Sequence, residues 1–206
     1  PNNPFCSLFT RLGSTSPTPG AIDIVQNAYV NLNKQYTTGL DATVRYQKEF
    51  SFGRFTADLQ ATWTFDDEIT FRTGTAPEDF NGEIIDPDFT ANLDLRFDKG
   101  DFTYFWNVDM IGKASNTEEF GADVFAYRAS GLTAYYKQYT EFTAIHDVSV
   151  RYRNDDWTLI AGVQDVFDEQ PPAVSTGTAF ARVGLVTTGA YDIRGRRGFV
   201  EVQRRF

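Results

Sequence analysis

The sequence predicts an all-β fold: a membrane antiparallel β-barrel segment of about seven strands. Three observations lead there. Strict alternation of apolar and polar side chains recurs along the chain, connections are short at one end of the strands and long at the other, and the last strand stops on an aromatic, Phe206. Alternation gives a strand one apolar and one wet face, which a helix of the same residues would mix.

Composition sets the outer limits. With 16% aromatic residues beside 23% charged ones, the 206-residue chain suits strands that are apolar on one side only. No apolar run approaches the ~18 residues of a helical span. A soluble sandwich shares this composition, so periodicity has to decide. A net charge of -9 argues against a nucleic-acid partner. One Cys and one His leave almost no material for a zinc site or a nucleophilic triad, so no metal, cofactor or enzymatic activity is expected. Cys6 suggests a disulfide partner in another chain or segment, or equally a free thiol in a loop.

Residues 1–24, broken by Pro1, Pro4, Gly13, Pro17, Pro19 and Gly20, read as loop. From roughly Asn27 to Phe50 the chain is strand-like, with Leu40, Ala42, Val44 and Tyr46 opposite Asp41, Thr43, Arg45 and Gln47. A tight turn at Ser51-Phe52-Gly53 leads to the cleanest strand: Ala57, Leu59, Ala61, Trp63 and Phe65 alternate with Thr56, Asp58, Gln60, Thr62 and Thr64, as far as about Arg72. After the loop TGTAPEDFNGEIIDP, FTANLDLRF and FTYFWNVDMIG form a second pair across the turn Asp98-Lys99-Gly100-Asp101. A long loop from about Ala114 to Tyr139 precedes EFTAIHDVSVRYR, the turn Asn154-Asp155-Asp156, and WTLIAGVQDVF. One more long loop reaches the closing strand.

Turns after Phe50, Phe97 and Arg153 are short, whereas connections after Arg72, Gly112 and Phe167 are long. That sidedness is the plan of a membrane barrel, with short periplasmic turns and long extracellular loops; a sandwich has none. An odd number of strands, an extracellular start and no signal peptide at PNNPFCSLFTRLG lead to the expectation that the chain is part of a larger barrel. On that expectation residues 1–24 are an extracellular loop segment and residues 25–206 the barrel portion.

Three segments resemble the carboxy-terminal part of a TonB-dependent outer-membrane receptor. Asn31-Leu32-Asn33 through Thr38-Gly39-Leu40-Asp41 is similar to the family's approach to a descending strand, with Asp41 where Glu is usual. Gly162-Val163-Gln164-Asp165-Val166-Phe167-Asp168, followed by Pro171-Pro172, resembles "GVxNLFD" with Asp165 and Val166 departing from Asn and Leu. Tyr191-Asp192, Gly195-Arg196-Arg197 and the terminal strand resemble "YD…GRR" and a closing "RF", although Arg204 stands where the barrel-assembly signal is usually aromatic or apolar. The resemblance implies a 22-stranded barrel around an amino-terminal plug, importing a scarce bulky nutrient with energy from the TonB–ExbB–ExbD complex. Iron–siderophore, cobalamin, haem and oligosaccharide all stay open as substrates. Outer-membrane lipid, lipopolysaccharide and the rest of the same barrel are the other implied partners. The alternative is a passive outer-membrane pore or a surface adhesion barrel.

Candidate residues follow from position. Trp63, Phe65, Tyr104, Trp106, Tyr152, Trp157 and Phe206 suit aromatic belts on the membrane face, or core packing in a soluble domain. Loop aromatics Phe120, Phe125, Tyr127, Tyr135, Tyr136 and Tyr139 suit stacking on sugars or siderophore rings, or loop self-packing. Arg194, Arg196 and Arg197 suit an anionic ligand, or pairing with the chain's own acidic loops. The clusters Asp66-Asp67-Glu68, Glu78-Asp79 and Asp86-Asp88 match no compact calcium loop and read as solvated surface. His146 and Asp147 point to opposite faces, which sets catalysis aside.

Overall fold

The computed structural model describes residues 6, 8–26, 34–71, 75–117, 124–127, 132–135, 137–175, 181–182, 184–186 and 191–205, with backbone alone at 124–127, 132–135 and 181–182. Seven long strands form one antiparallel sheet: β1 Lys34–Phe50, β2 Gly53–Thr70, β3 Phe89–Lys99, β4 Phe102–Ile111, β5 Thr143–Arg153, β6 Trp157–Gln164 and β7 Arg197–Arg204. Each pairs with its sequence neighbour, so the sheet is a meander with β1 and β7 as its edges. It is not closed. Among the described residues no helix is long and apolar enough to cross a membrane.

Register turns the alternation of each strand into two continuous faces. Val44, Leu59, Leu93, Val108 and His146 lie side by side, and the next row is Tyr46, Ala57, Leu95, Trp106 and Val148. On the opposite face Arg45, Asp58, Asp94, Asn107 and Asp147 are neighbours. The apolar face stays open: Leu40, Val44, Tyr46, Trp106 and Val202 are all exposed. An exposed apolar surface of this extent demands an apolar partner.

Short turns join the hairpins at one end. Gly100 has φ 55° at the first central position of the two-residue turn between β3 and β4, where a side chain would be strained. Between β5 and β6 the Asn154 carboxamide oxygen accepts from the backbone N–H of Asp156 and Trp157 at 3.0 and 2.7 Å. Such side-chain capping is the usual chemistry of an Asn-led turn.

The β1–β2 hairpin, with strands of 17 and 18 residues, outruns the roughly 9–11 residues that cross a bilayer. A bulge divides it. Gly39 pairs with Thr64 and Thr38 with Asp66, leaving Phe65 as the extra residue. A Cβ on Gly39 would lie 2.6 Å from the Trp63 carbonyl oxygen, so the strands can approach here only because residue 39 has no side chain.

Three differences from the sequence reading appear. Residues 1–24, expected to be loop, contain a short antiparallel pair, Phe9–Arg11 with Ile22–Val25. The strand expected to run to Phe167 stops at Gln164, because Asp165 turns the chain with φ 49°. The first strand is described from Lys34, its expected beginning at Asn27 lying outside the described residues.

Among the described residues, Ala61, Ala91 and Val108 are buried within the sheet, but the clustered apolar core lies at its loop end. Ile84, Ala114, Val174, Val186 and Tyr191 gather around Ile111 at the loop end of β4. All except Ile111 come from long connections.

Candidate functional site

The site is built from the polar face and the loops at its end. Polar-face side chains bond across the strands: Asn92 Nδ2 donates to Asp109 at 2.6 Å, Asn107 Nδ2 to Asp94 at 2.9 Å, and Thr62 Oγ1 to Asp41 at 2.7 Å. Arg45 pairs with Asp58 at 3.4 Å. Nearer the short turns, Asp98 accepts from Arg96 and from Thr103, whose hydroxyl in turn accepts from Arg151. The result is a wet wall of fixed carboxylates at mid-strand.

The three long connections are knitted together by backbone hydrogen bonds. Ser115 N–H reaches Gly82 at 2.8 Å, and Asn116 N–H reaches Gln138 at 2.9 Å. Ser175 N–H binds Lys137 at 2.9 Å, and Lys137 N–H returns to the Ser175 hydroxyl. The Asn116 side chain, fully buried, accepts from Ile84 N–H at 2.9 Å. Burying these polar groups is tolerable only because each finds a partner, which ties the loops into one unit.

A clasp holds the last loop over the start of β7. Asp192 accepts from the backbone and side chain of Arg194 and pairs with Arg197 at 2.7 Å. Those bonds, from Arg194 first and Arg197 second, hold its carboxyl well below the usual carboxylate range. Arg197 also donates to the Gln164 carboxamide oxygen. Asp168, in the left-handed conformation with φ 58°, accepts from Arg196 N–H at 2.9 Å. A Cβ at Gly195 would lie 2.7 Å from that same carboxylate oxygen.

At the projecting end of β2, two carboxyls face each other. Thr37 and Gln35 donate to Asp67 at 2.6 and 3.0 Å and lower its pKa. Burial, then the hydrogen-bonded Asp67, pushes Asp86 up. Asp79 caps the backbone N–H of Asn81 at 3.0 Å. The carboxylates here serve the loop's own structure, and among the described residues no group of acidic, His or Cys side chains is arranged to hold a metal.

The sequence candidates fall into distinct places. Arg194 and Arg197 are engaged by Asp192, whereas the exposed Arg196 side chain makes no ion pair among the described residues. Tyr139 is exposed at the loop unit, with Lys137 Nζ 5.3 Å from its ring centre. Phe125, Tyr127 and Tyr135 lie on a small hairpin, Val124–Tyr127 with Leu132–Tyr135, described by backbone only. Phe120, Tyr136 and Phe206 lie outside the described residues. On the apolar face, Tyr104 stands 6.4 Å from Phe97 and Tyr152 5.1 Å from Phe102 at the short-turn end, where Trp157 also sits. Trp63 packs on Phe89 at 5.1 Å toward the loops, and Phe65 is the bulge residue. Trp106 lies mid-strand and donates its indole N–H to His146 Nδ1 at 3.1 Å, so its polar atom is satisfied on an apolar surface. His146 and Asp147 do face apart, Asp147 accepting from Asp165 N–H at 2.8 Å.

Tyr191, Asp168 and Asp192 are the residues whose roles sequence reasoning missed. Their signal was present in the motifs, as an aromatic before Asp and an Asp before Pro-Pro, without indicating that they fasten loops.

A two-faced meander with short turns at one end and a folded loop unit at the other defines a β-barrel wall of the outer-membrane type. The family model described as TonB dependent receptor-like, beta-barrel matches residues 8–166, and the chain belongs to that family. The family is one of bacterial outer-membrane transporters, not enzymes. No curated protein and no solved structure matches the chain.

Proposed function

We propose that the chain forms part of the barrel of an active importer, which takes up a scarce bulky nutrient such as an iron–siderophore complex with energy from TonB. The observation that carries this reading is the fusion of three long loops into one buried-core unit at the end of a wet wall. Such a unit suits capture of a large ligand better than a passive pore, whose loops need only leave a channel open. Among the described residues no further strand pairs with the outer edges of β1 and β7, which supports a larger barrel, because unpaired backbone groups cannot face lipid. Aromatic rings at Phe97, Tyr104, Tyr152 and Trp157 form the belt on the short-turn side, and Trp63, Phe65 and Phe89 the opposite belt. Tyr139 and Arg196 are the substrate-contacting residues on the described part of the loop unit. Arg194 and Arg197 are held by Asp192 and position the loop.

The experiment is uptake and growth of a deletion strain on iron-limited and on glycan media, each with and without a functional TonB system. Active import predicts a defect on one medium that loss of TonB reproduces. Uptake indifferent to TonB would leave the passive-pore reading standing instead.

A further inference from the structure

A groove of about 840 Å³ crosses the apolar face from Phe55 and Phe97 to Gly198 and Val200, over a floor of Val150 and Ala161. One pairing row runs its length: Phe55, Phe97, Tyr104, Val150, Ala161 and Val200 are successive neighbours from β2 to β7. The aromatic belt of the short-turn side does not keep to that row. Phe97 and Tyr104 lie in it, Tyr152 stands two residues nearer the turns, and Trp157 two further. At about 3.4 Å per residue each step is roughly 7 Å, so the groove climbs from the belt at β3 toward the bilayer interior at β7.

The belt end of the groove is cationic. Lys48 pairs with Phe55, and Lys99 follows Phe97 by two residues and pairs with Phe102, so both lysines share the apolar face. Both are exposed, and neither forms an ion pair among the described residues. Lys48 Nζ lies 5.2 Å from the Phe50 ring centre, and Phe52 links that ring to Phe97 at 5.3 and 6.0 Å. Between the bulge and the short turns, the apolar face of the seven strands carries no carboxylate. The carboxylates next to the lysines belong to the other face and are engaged, Glu49 by Arg54 at 2.6 Å and Asp98 by Arg96 at 2.9 Å. Asp101, in the β3–β4 turn, is bound to β5 through its backbone, its carbonyl accepting from Arg153 N–H at 2.9 Å. The remaining cation of this face, Arg204, stands on the far edge strand and is engaged with the Trp157 ring, 5.2 Å from its centre.

We infer that Lys48, Lys99 and the groove together hold one anionic glycerophospholipid of the leaflet on the short-turn side. Its phosphodiester sits between the two ammonium groups, and its acyl chains pass Phe97 and rise along the groove toward Val200. Lysines on a lipid-facing surface extend their charge to the headgroup level, where an ammonium binds phosphate as a point charge. A face with cations at one margin and no carboxylate selects an anionic headgroup over a zwitterionic one. The site rests on the membrane-spanning reading given above.

The test uses the full-length receptor from outer membranes, exchanged into detergent with equal amounts of phosphatidylglycerol and phosphatidylethanolamine and weighed by native mass spectrometry. One phosphatidylglycerol should be retained about fivefold better than phosphatidylethanolamine, the scale of one Lys contact at a membrane surface. The double variant Lys48→Gln, Lys99→Gln should retain the two lipids equally, whereas Lys48→Arg, Lys99→Arg should keep the preference. A Cβ at Gly198 would meet only the Gly162 carbonyl oxygen, at 3.9 Å, so Gly198→Leu extends into the groove and should lower retention of both lipids. Heat-modifiable gel mobility reports that each variant folds. The lysine variants, on exposed side chains, decide the headgroup contact even where Gly198→Leu fails to fold. Glycerol phosphate, the headgroup charge without chains, should not compete. Equal retention by the unaltered receptor, a preference surviving in the Gln variant, or a polypeptide in place of lipid would overturn the site. A receptor absent from the outer-membrane fraction would overturn the membrane reading itself, whereas one present there without lipid preference removes the lipid site only.

Discussion

The Phe199 ring on β7 occupies the space over Gly162 on β6: a Cβ at 162 would sit 2.6 Å from it, and equally close to the Val148 carbonyl oxygen. The closing strand is therefore seated by a ring lying on bare backbone. Gly162→Ala is expected to cost about 1–3 kcal/mol through overpacking. Heat-modifiable mobility and denaturant unfolding of the receptor in detergent measure it. Adding Phe199→Leu should recover only part of the loss, because the carbonyl contact remains.

Gly39→Ala should disturb the bulge in the same way. The clash at 39 is with the Trp63 carbonyl oxygen, which cannot rotate away as a side chain can. Reduced assembled receptor in the outer membrane is the expected result, and Leu40→Ala, with an exposed side chain one residue on, is the control that should assemble normally.

Tyr191 is 7% exposed in the loop core and its hydroxyl is 3.5 Å from Thr140 Oγ1. Tyr191→Phe should change little, since that hydrogen bond is long. Tyr191→Ala should open a cavity costing about 3 kcal/mol, on the scale of aromatic truncation. Protease cleavage of the loops on intact cells should increase with the second variant only.

The Asp67–Asp86 pair predicts a pH dependence of the loop after β2. Asp86 has a raised pKa, so its contribution is present below the ordinary carboxylate value and disappears as pH rises through its raised one. Asp67 has a lowered pKa, so its contribution is present above the ordinary value and disappears only in stronger acid. Asp86→Asn should therefore protect the Phe80 amide, which donates to the Asp67 carbonyl, at neutral pH and make no difference in mild acid. Hydrogen exchange at the two pH values decides it.

Tyr139→Ala and Arg196→Ala should weaken substrate capture several-fold each, about 1 kcal/mol per lost stacking or charge contact. Uptake kinetics should show a higher half-saturation concentration with the maximal rate retained. Arg194→Ala, in the Asp192 clasp, should instead increase loop proteolysis.

The strands were legible because one face of each is mostly apolar: Ala57 through Phe65 admits a single periodicity, and the sheet follows it. The ends were less so. Gln164 closes β6 because Asp165 adopts a left-handed backbone, a conformation that Asp and Asn tolerate better than other side chains. The same tolerance accounts physically for Asp standing where the family resemblance has Asn. The loop core was not legible at all. Ile84, Val174, Val186 and Tyr191 sit in short apolar stretches of one to three residues within long connections, with no period to announce that they meet. Sequence alone leaves ligand binding and self-pairing equal for the loop arginines; in the structure Arg194 and Arg197 pair with Asp192.

Because Gly82, Asn116, Lys137 and Ser175 fasten the three connections to one another, no loop can be exchanged singly. A graft of one connection from a related receptor would arrive without the partners its amides need. The three loops are thus expected to fold as a set, and chimeras, natural or built, should assemble only when all three travel together.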